Sequence, residues 1–204
     1  MTFSDDPDGF LDLCIGVAQE VPAPPHRIHL DLYGADQQQQ VVRRALRAGG
    51  QRLGIGLGEV PWVVLADPQG YPFRVRENRP AYVDTGPLAA LLIDAADPET
   101  TAAFWAAASG WVDSTDAATG GLGYVVLRHP SLRGPLLEFC PVNSPKPGKN
   151  PIHLDLRAVD DAQVEVERLK GLGAQPVEHD WGELPWTVFV DPAGNEFCLL
   201  PPNR

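Results

Sequence analysis

The sequence contains a long internal repeat. Residues 28–32, Ile-His-Leu-Asp-Leu, return as residues 152–156, and the match runs without a gap until near Phe73 and Phe197. Two further pairs match in the same register: 58–62 with 182–186, and 67–70 with 191–194. Self-similarity of this length indicates a duplicated supersecondary unit, which usually cannot bury its apolar face alone. The repeat therefore constrains the architecture, and it places a His and an Asp at equivalent positions twice.

Composition excludes several classes of protein. The net charge of −11 argues against a nucleic-acid partner, because phosphate binding needs a basic face. No apolar run approaches the roughly 18 residues that cross a bilayer, so no membrane partner is expected. The acidic start, residues 1–6, lacks the pattern of a secretion signal, and a cytoplasmic location is expected. Cys14, Cys140 and Cys198 have no zinc-finger spacing and are expected to be reduced.

The second copy of the repeat predicts a β-α-β-β-β module. Apolar residues alternate with polar ones over 152–157, which is typical of a half-buried strand. Asp160 and Asp161 can cap a helix that Leu172-Gly173 ends. Three strands then follow, the last two joined by the turn at 191–194. Their predicted ranges are 174–179, 186–190 and 196–200.

Two more modules follow from the same pattern. The first copy predicts strands at 28–33, 61–66 and 72–76 and a helix at about 36–48. A middle module is predicted at 88–142, with a helix that begins at Asp97-Pro98 and strands at 123–127 and 135–142. The fragment Phe10–Cys14 is similar to 136–140, the final strand of the middle module, so residues 1–26 are expected to be the tail of a fourth, truncated module.

The order of these motifs resembles the glyoxalase-like branch of the vicinal oxygen chelate superfamily. The resemblance rests on the Asp-Pro-Glu helix with Phe104-Trp105, on Gly110-Trp111, and on the stretch from Asn150 to Leu200. It implies an α+β fold in which paired β-α-β-β-β modules form curved mixed half-barrel sheets with helices on the convex side. On this basis residues 84–204 are expected to form a complete two-module domain, and residues 1–83 a partial one.

The resemblance also implies where a metal would bind. The family takes its metal ligands from the first and last strands of each module, which corresponds here to Ala90, Glu138, His153 and Cys198. Ala90 cannot coordinate a metal, and Cys198 stands where the family usually has Glu. The predicted ligands are therefore Glu138, His153 and Cys198, with a divalent Zn, Ni, Fe or Mn ion as the candidate cofactor. The matching positions of the first copy are Asp12, His29 and Arg74, and Arg74 would repel a cation.

The remaining pocket residues follow from strand alternation and from the turns. His153 and Asp155 are expected on the concave side, opposite Ile152, Leu154 and Leu156. The predicted ligand pocket also contains residues that share this side on neighbouring strands or lie at a strand start: Cys140, Trp186 and Glu196.

Each of these residues also has a structural explanation. His153 and Asp155 can be a hydrogen-bonded pair that orders the sheet, Cys198 can be a small buried apolar residue, and Glu138 can be solvated in a groove. Trp62 and Trp186 can stack on a flat ligand or cap the core.

Three functional hypotheses result. The first is a metal-dependent lyase, isomerase or dioxygenase, and the second is a metal-free protein that binds or sequesters a small oxygenated or aromatic molecule. The third is an interaction role for the incomplete module, whose exposed strand edges would favour a homodimer.

Overall fold

All three predicted β-α-β-β-β modules are present in the protein. The computed structural model describes residues 26–54, 58–115, 123–179 and 182–202. The fragment 10–14, with Asp12 and Cys14, lies outside these ranges. The first module comprises β1 (Ile28–Tyr33), a 3-10 turn (Ala35–Gln37), α1 (Gln38–Arg47), β2 (Gln51–Arg52), β3 (Val63–Ala66) and β4 (Pro72–Arg76).

The other two modules repeat this order. The middle module comprises β5 (Leu88–Ala95), α2 (Pro98–Ser109), β6 (Val112–Asp113), β7 (Val125–Arg128) and β8 (Leu136–Pro141). The last comprises β9 (Leu154–Arg157), α3 (Ala162–Gly171), β10 (Gln175–Pro176), β11 (Thr187–Val190) and β12 (Glu196–Leu200). A short 3-10 helix, Pro80–Tyr82, lies between the first two modules. The predicted α+β class is confirmed, and the structure adds the two-residue strands β2 and β6.

The predicted helix caps and turns form as their residue types require. The Asp97 side chain accepts a hydrogen bond from the Thr100 amide at 3.0 Å, and Asp161 caps α3 in the same way. In the last turn, Asp191 Oδ1 accepts hydrogen bonds from the Ala193 and Asn195 amides. These contacts fix the ends of the strands that carry the predicted site.

The modules are distributed over two sheets. The first and middle modules form one eight-stranded sheet of order β2-β3-β4-β1-β5-β8-β7-β6, in which β1 and β5 pair antiparallel. The last module forms a separate four-stranded sheet of order β10-β11-β12-β9. Within each module the first strand pairs parallel with the last strand, as β1 does with β4 and β9 with β12.

In the domain expected at 84–204, the middle and last modules form one half-barrel. The observed strand pairing is different. The sheet that contains the middle module is completed by the first copy of the repeat instead. Because β1 and β9 have nearly the same sequence, strand pattern alone does not decide which of them pairs with β5. The connections do not decide it either, since 77–87 and 142–153 are of similar length.

One apolar core joins the two sheets. Phe104 and Trp105 of α2 pack against Phe197 of β12, with ring centroids 5.7 and 5.2 Å apart. The Trp105 indole also donates a buried hydrogen bond of 3.0 Å to Asp191. These aromatic residues belong to the same buried cluster as Phe139 of β8, so the helix-bearing faces of both sheets share a core. The prediction that Phe104 and Trp105 are core residues is confirmed.

The helices among the described residues are too short or too polar to cross a membrane.

Two inner faces and a candidate metal centre

Each sheet has a face turned away from the helices, and the predicted site residues lie on these two faces. We call the face of the eight-stranded sheet that carries Asp31, Arg74 and Glu138 the first inner face. The second inner face belongs to the four-stranded sheet and carries His153, Asp155 and Cys198. Strand alternation explains the placement, because Leu154 and Leu156 point to the shared core while their neighbours point the other way, as predicted.

A buried ion network occupies the centre of the first inner face. Asp31 is completely buried and accepts two hydrogen bonds from Arg74, at 2.6 Å from Nε and 2.9 Å from Nη2. Arg76 Nη1 lies 3.4 Å from Oδ2 of the same carboxylate. Two guanidinium groups therefore contact one carboxylate, and their positive charges would repel a metal cation bound beside Asp31.

Glu138 belongs to this network. It is 4 % exposed, which excludes the alternative that it is solvated in an open groove. Its carboxylate accepts a hydrogen bond of 3.1 Å from the Tyr82 hydroxyl. Burial, followed by the charge of Asp31, raises the pKa of Glu138 above its ordinary value.

Cys140 lies beyond Glu138 on the same strand and face. Burial, followed by the charge of Glu138, raises the pKa of the Cys140 thiol to about 12. A thiol with so high a pKa is protonated at neutral pH, and it is therefore a poor nucleophile and a poor metal ligand.

The second inner face brings three potential metal ligands together. One ligand atom each from His153, Asp155 and Cys198 lies within 4.8 Å of the other two. The strand register produces this arrangement, since Asp155 of β9 stands directly beside Cys198 of β12. The side chains of His153 and Asp155 are 42 % and 39 % exposed, so the group can be reached from solvent.

The same residues also form an ion pair. His153 Nε2 lies 3.2 Å from Asp155 Oδ1. The hydrogen bond to Asp155, followed by one to Cys198, raises the pKa of His153 to about 10. Without a metal ion, the imidazole is therefore protonated at neutral pH and pairs with the carboxylate.

The predicted ligand set is only partly assembled. His153 and Cys198 come together, but Glu138 lies in the other sheet because the middle module pairs with the first copy. Asp155, predicted as a pocket residue, takes its place in the ligand group. Glu196 is engaged at the start of β12, where it binds Lys146 Nζ at 2.5 Å.

The two tryptophans of the repeat differ in their surroundings. The ring of Trp62 is covered by the Arg76 guanidinium at 4.7 Å from its centroid. Trp186 is 39 % exposed directly before β11, and Leu200 stands at the position that corresponds to Arg76. Trp186 can therefore still stack on a ligand.

Sequence reasoning missed two residues of the first inner face. Arg76 lies two positions after Arg74 and so shares its side of the strand, a signal that was present in the sequence. Tyr82 lies in the connection between modules and follows no strand pattern, so only the folded chain places it on Glu138.

Comparisons with known proteins agree with this architecture. The glyoxalase-like domain family matches residues 4–76 and 90–200. The chain is similar in structure to glyoxalase I from Zea mays, with 18% identity, a TM-score of 0.59, and coverage of 87% of this chain and 68% of that one. It is also similar to a protein from Bacillus subtilis assigned as a dioxygenase, with 14% identity, a TM-score of 0.56, and coverage of 86% and 61%. At these identities the likeness shows the fold alone.

No curated protein sequence matches the chain significantly. The family match nevertheless spans most of its length. The chain belongs to the glyoxalase-like domain family of the vicinal oxygen chelate superfamily.

Proposed function

We propose that the protein binds a small oxygen-bearing molecule through a divalent metal ion held on the second inner face by His153, Asp155 and Cys198. The observation that carries this proposal is the convergence of three ligand atoms within 4.8 Å on a solvent-accessible face. Sites that bind substrate through a metal typically use three protein ligands and leave one coordination position open.

The donor set fits such an ion. One imidazole nitrogen, one carboxylate oxygen and one thiolate are ligands that Zn²⁺ accepts, and the thiolate disfavours Mg²⁺ and Ca²⁺. When bound, the ion would act as a Lewis acid on an oxygen of the ligand. Trp186 directly precedes β11, and Val188, two residues later, stands beside Cys198. Strand alternation would place the exposed Trp186 ring on the Cys198 side, where it could hold a planar ligand against this face. The proposal places the protein in the cytoplasm, where a thiol ligand stays reduced.

The repeat provides a matched control for the metal test. His29 is the counterpart of His153, but it lies 3.6 Å from Asp94 and shares its face with two arginines. We expect the full-length protein to bind about one equivalent of Zn²⁺ by elemental analysis and to melt at a higher temperature with Zn²⁺. At a hundredfold excess over Kd, the stabilisation is about 2.7 kcal/mol.

The His153→Ala and Cys198→Ser variants should lose this response, while His29→Ala should keep it. A Zn²⁺ response that survives in His153→Ala, or one that His29→Ala abolishes, would contradict the proposed ligands. Catechol, which carries two adjacent oxygens on a planar ring, is a suitable first ligand probe in the presence of the metal.

A metal-free binding function is the second candidate, and the paired state of His153 supports it. A protonated imidazole beside Asp155 offers a hydrogen-bond donor to an oxygenated ligand without any ion. A ligand response that is unchanged by EDTA but lost in His153→Ala would favour this candidate over the first.

We also propose a homodimer formed through β9. Among the described residues, β9 pairs only with β12, whereas its counterpart β1 pairs with β4 on one side and β5 on the other. An unpaired strand edge is a template for pairing with another chain. Light scattering coupled to size exclusion should give twice the monomer mass, and a strictly monomeric protein at high concentration would refute the dimer.

A further inference from the structure

The first inner face is covered by part of the connection between the first and middle modules. Residues 77–87, which we call the strap, lead from β4 to β5 and contain the 3-10 helix Pro80–Tyr82. The Tyr82 side chain is 1 % exposed, although it lies in a connection rather than in a strand or a long helix. It packs against Ala90, Val126 and Leu136, which are themselves buried.

Polar and aromatic groups surround the Tyr82 ring in the manner of a ligand site. The Arg76 guanidinium lies 5.8 Å from the Tyr82 ring centroid and 4.7 Å from the centroid of Trp62. The Tyr33 ring meets Tyr82 edge-on, with centroids 5.9 Å apart. A cation over an aromatic face and an edge-on aromatic neighbour both favour a π-system at this position.

The hydroxyl group has its own specific partner. Tyr82 donates a hydrogen bond of 3.1 Å to Glu138, and both side chains are buried. A buried carboxylate is costly unless it is hydrogen-bonded or paired. The raised pKa of Glu138, caused first by burial, agrees with its removal from water.

Hydrogen bonds at Tyr82 and at Asp84 fix the strap in this position. Thr85 Oγ1 donates to the Tyr82 carbonyl at 2.9 Å, and the Gly134 amide donates to the Asp84 carbonyl at 3.0 Å. Asp84 adopts a left-handed conformation with φ of 63°, which is uncommon for a residue other than glycine. The backbone therefore turns at Asp84, two residues after the tyrosine.

We propose that the first inner face is a binding site for a phenol ring and that the chain's own Tyr82 is its occupant. The ring packs on the apolar side chains of Ala90, Val126 and Leu136 and lies near the Arg76 guanidinium. Glu138 recognises the hydroxyl group. While the strap is closed, the site is filled and external phenols are excluded, so the second inner face is the one open to an outside ligand. This proposal does not depend on metal binding by His153.

Removal of the Tyr82 side chain should expose the site to free phenol. We expect Tyr82→Ala to be stabilised by phenol in thermal unfolding, and to bind phenol at least about tenfold more tightly than benzene, because only phenol can donate to Glu138. The unmodified protein and Tyr82→Phe should show no such response, since the ring still fills the cavity.

Controls separate this site from the other face and from nonspecific binding. Adding His153→Ala to Tyr82→Ala should leave phenol binding unchanged, whereas adding Glu138→Ala should remove the preference for phenol over benzene. A folded Tyr82→Ala protein that does not respond to phenol, or that binds phenol and benzene equally, would overturn the proposal. Phenol binding of equal strength by the unmodified protein would overturn it as well.

A second measurement covers the case in which Tyr82→Ala does not fold. Tyr82→Phe removes only the hydroxyl, and its effect on urea unfolding can be compared with and without Glu138→Ala in a double-mutant cycle. The expected result is that the destabilisation caused by Tyr82→Phe largely disappears once Glu138 is absent. Additive effects would show that Glu138 does not recognise the hydroxyl and would refute the proposal.

Discussion

The two aspartates of the repeat are expected to differ sharply in their contribution to stability. Asp31 and Asp155 occupy equivalent positions, but Asp31 is fully buried under Arg74 and Arg76, whereas the Asp155 side chain is 39 % exposed beside His153. Substitution of each by Ala therefore tests how burial changes the contribution of an aspartate to the free energy of unfolding at equivalent strand positions.

The expected magnitude follows from the contacts. Asp31→Ala leaves Arg74 and Arg76 without their carboxylate in a buried position, which typically costs about 3–5 kcal/mol. Asp155→Ala breaks one exposed ion pair, and such pairs contribute about 0.2–1 kcal/mol. The free energies of unfolding of the two variants should thus differ by about 3 kcal/mol. For a chain of this size, that difference is a gap in Tm of roughly 6–12 °C.

Urea unfolding followed by circular dichroism, without added metal, would measure both losses. The double variant Asp31→Ala/Arg74→Ala should be less destabilised than the sum of the single changes, because Arg74 is no longer left unpaired. Losses for Asp31→Ala and Asp155→Ala that agree within about 1 kcal/mol would refute the inference that the network is buried and mutually dependent.

Two further predictions concern the first inner face and the shared core. Because the pKa of Glu138 is raised, the folded state holds the proton on this side chain more tightly than the unfolded state does. The stability that Glu138 contributes is therefore fully present below its ordinary pKa and is lost as the pH rises through its folded-state pKa. The Glu138→Gln variant should therefore gain stability relative to the unmodified protein between pH 4.5 and pH 7 in urea titrations, and a constant difference would contradict this. Phe197→Ala should lower the free energy of unfolding by about 3–5 kcal/mol, because Phe197 is fully buried between Phe104, Trp105 and Phe189. Val164→Ala, at a site that is 68 % exposed, is the control and should change stability by less than about 0.5 kcal/mol.

The modules could be predicted from the sequence, but their partners could not. Alternation over 28–33 and 152–157 identifies the strands, because side chains on a strand alternate between two environments. The same alternation is shared by β1 and β9, so it contains no information about which of them pairs with β5. The expected metal ligands depend on the same choice, since Glu138 is grouped with His153 through a pairing of the middle and last modules that the sheets do not have.

Local spacing was informative where the ligands share one module. His153 directly precedes β9 and Asp155 lies in it, two residues later, and the family resemblance places Cys198 on the neighbouring strand. The proximity of these three side chains can therefore be predicted largely from the sequence. The occupation of the first inner face by Tyr82 depends on the path of a connection that has no periodicity, and it could be found only in the folded chain.

The position of α2 against both sheets has a consequence for how the chain opens. Trp105 of α2 donates a hydrogen bond to Asp191 and packs on Phe197. Separation of the last module would therefore also expose apolar side chains of α2 to solvent. The two sheets therefore act as one cooperative unit, and amides in the middle module should exchange with solvent mainly through global opening. A ligand that binds the second inner face would then slow exchange in strands of the other sheet that it never touches.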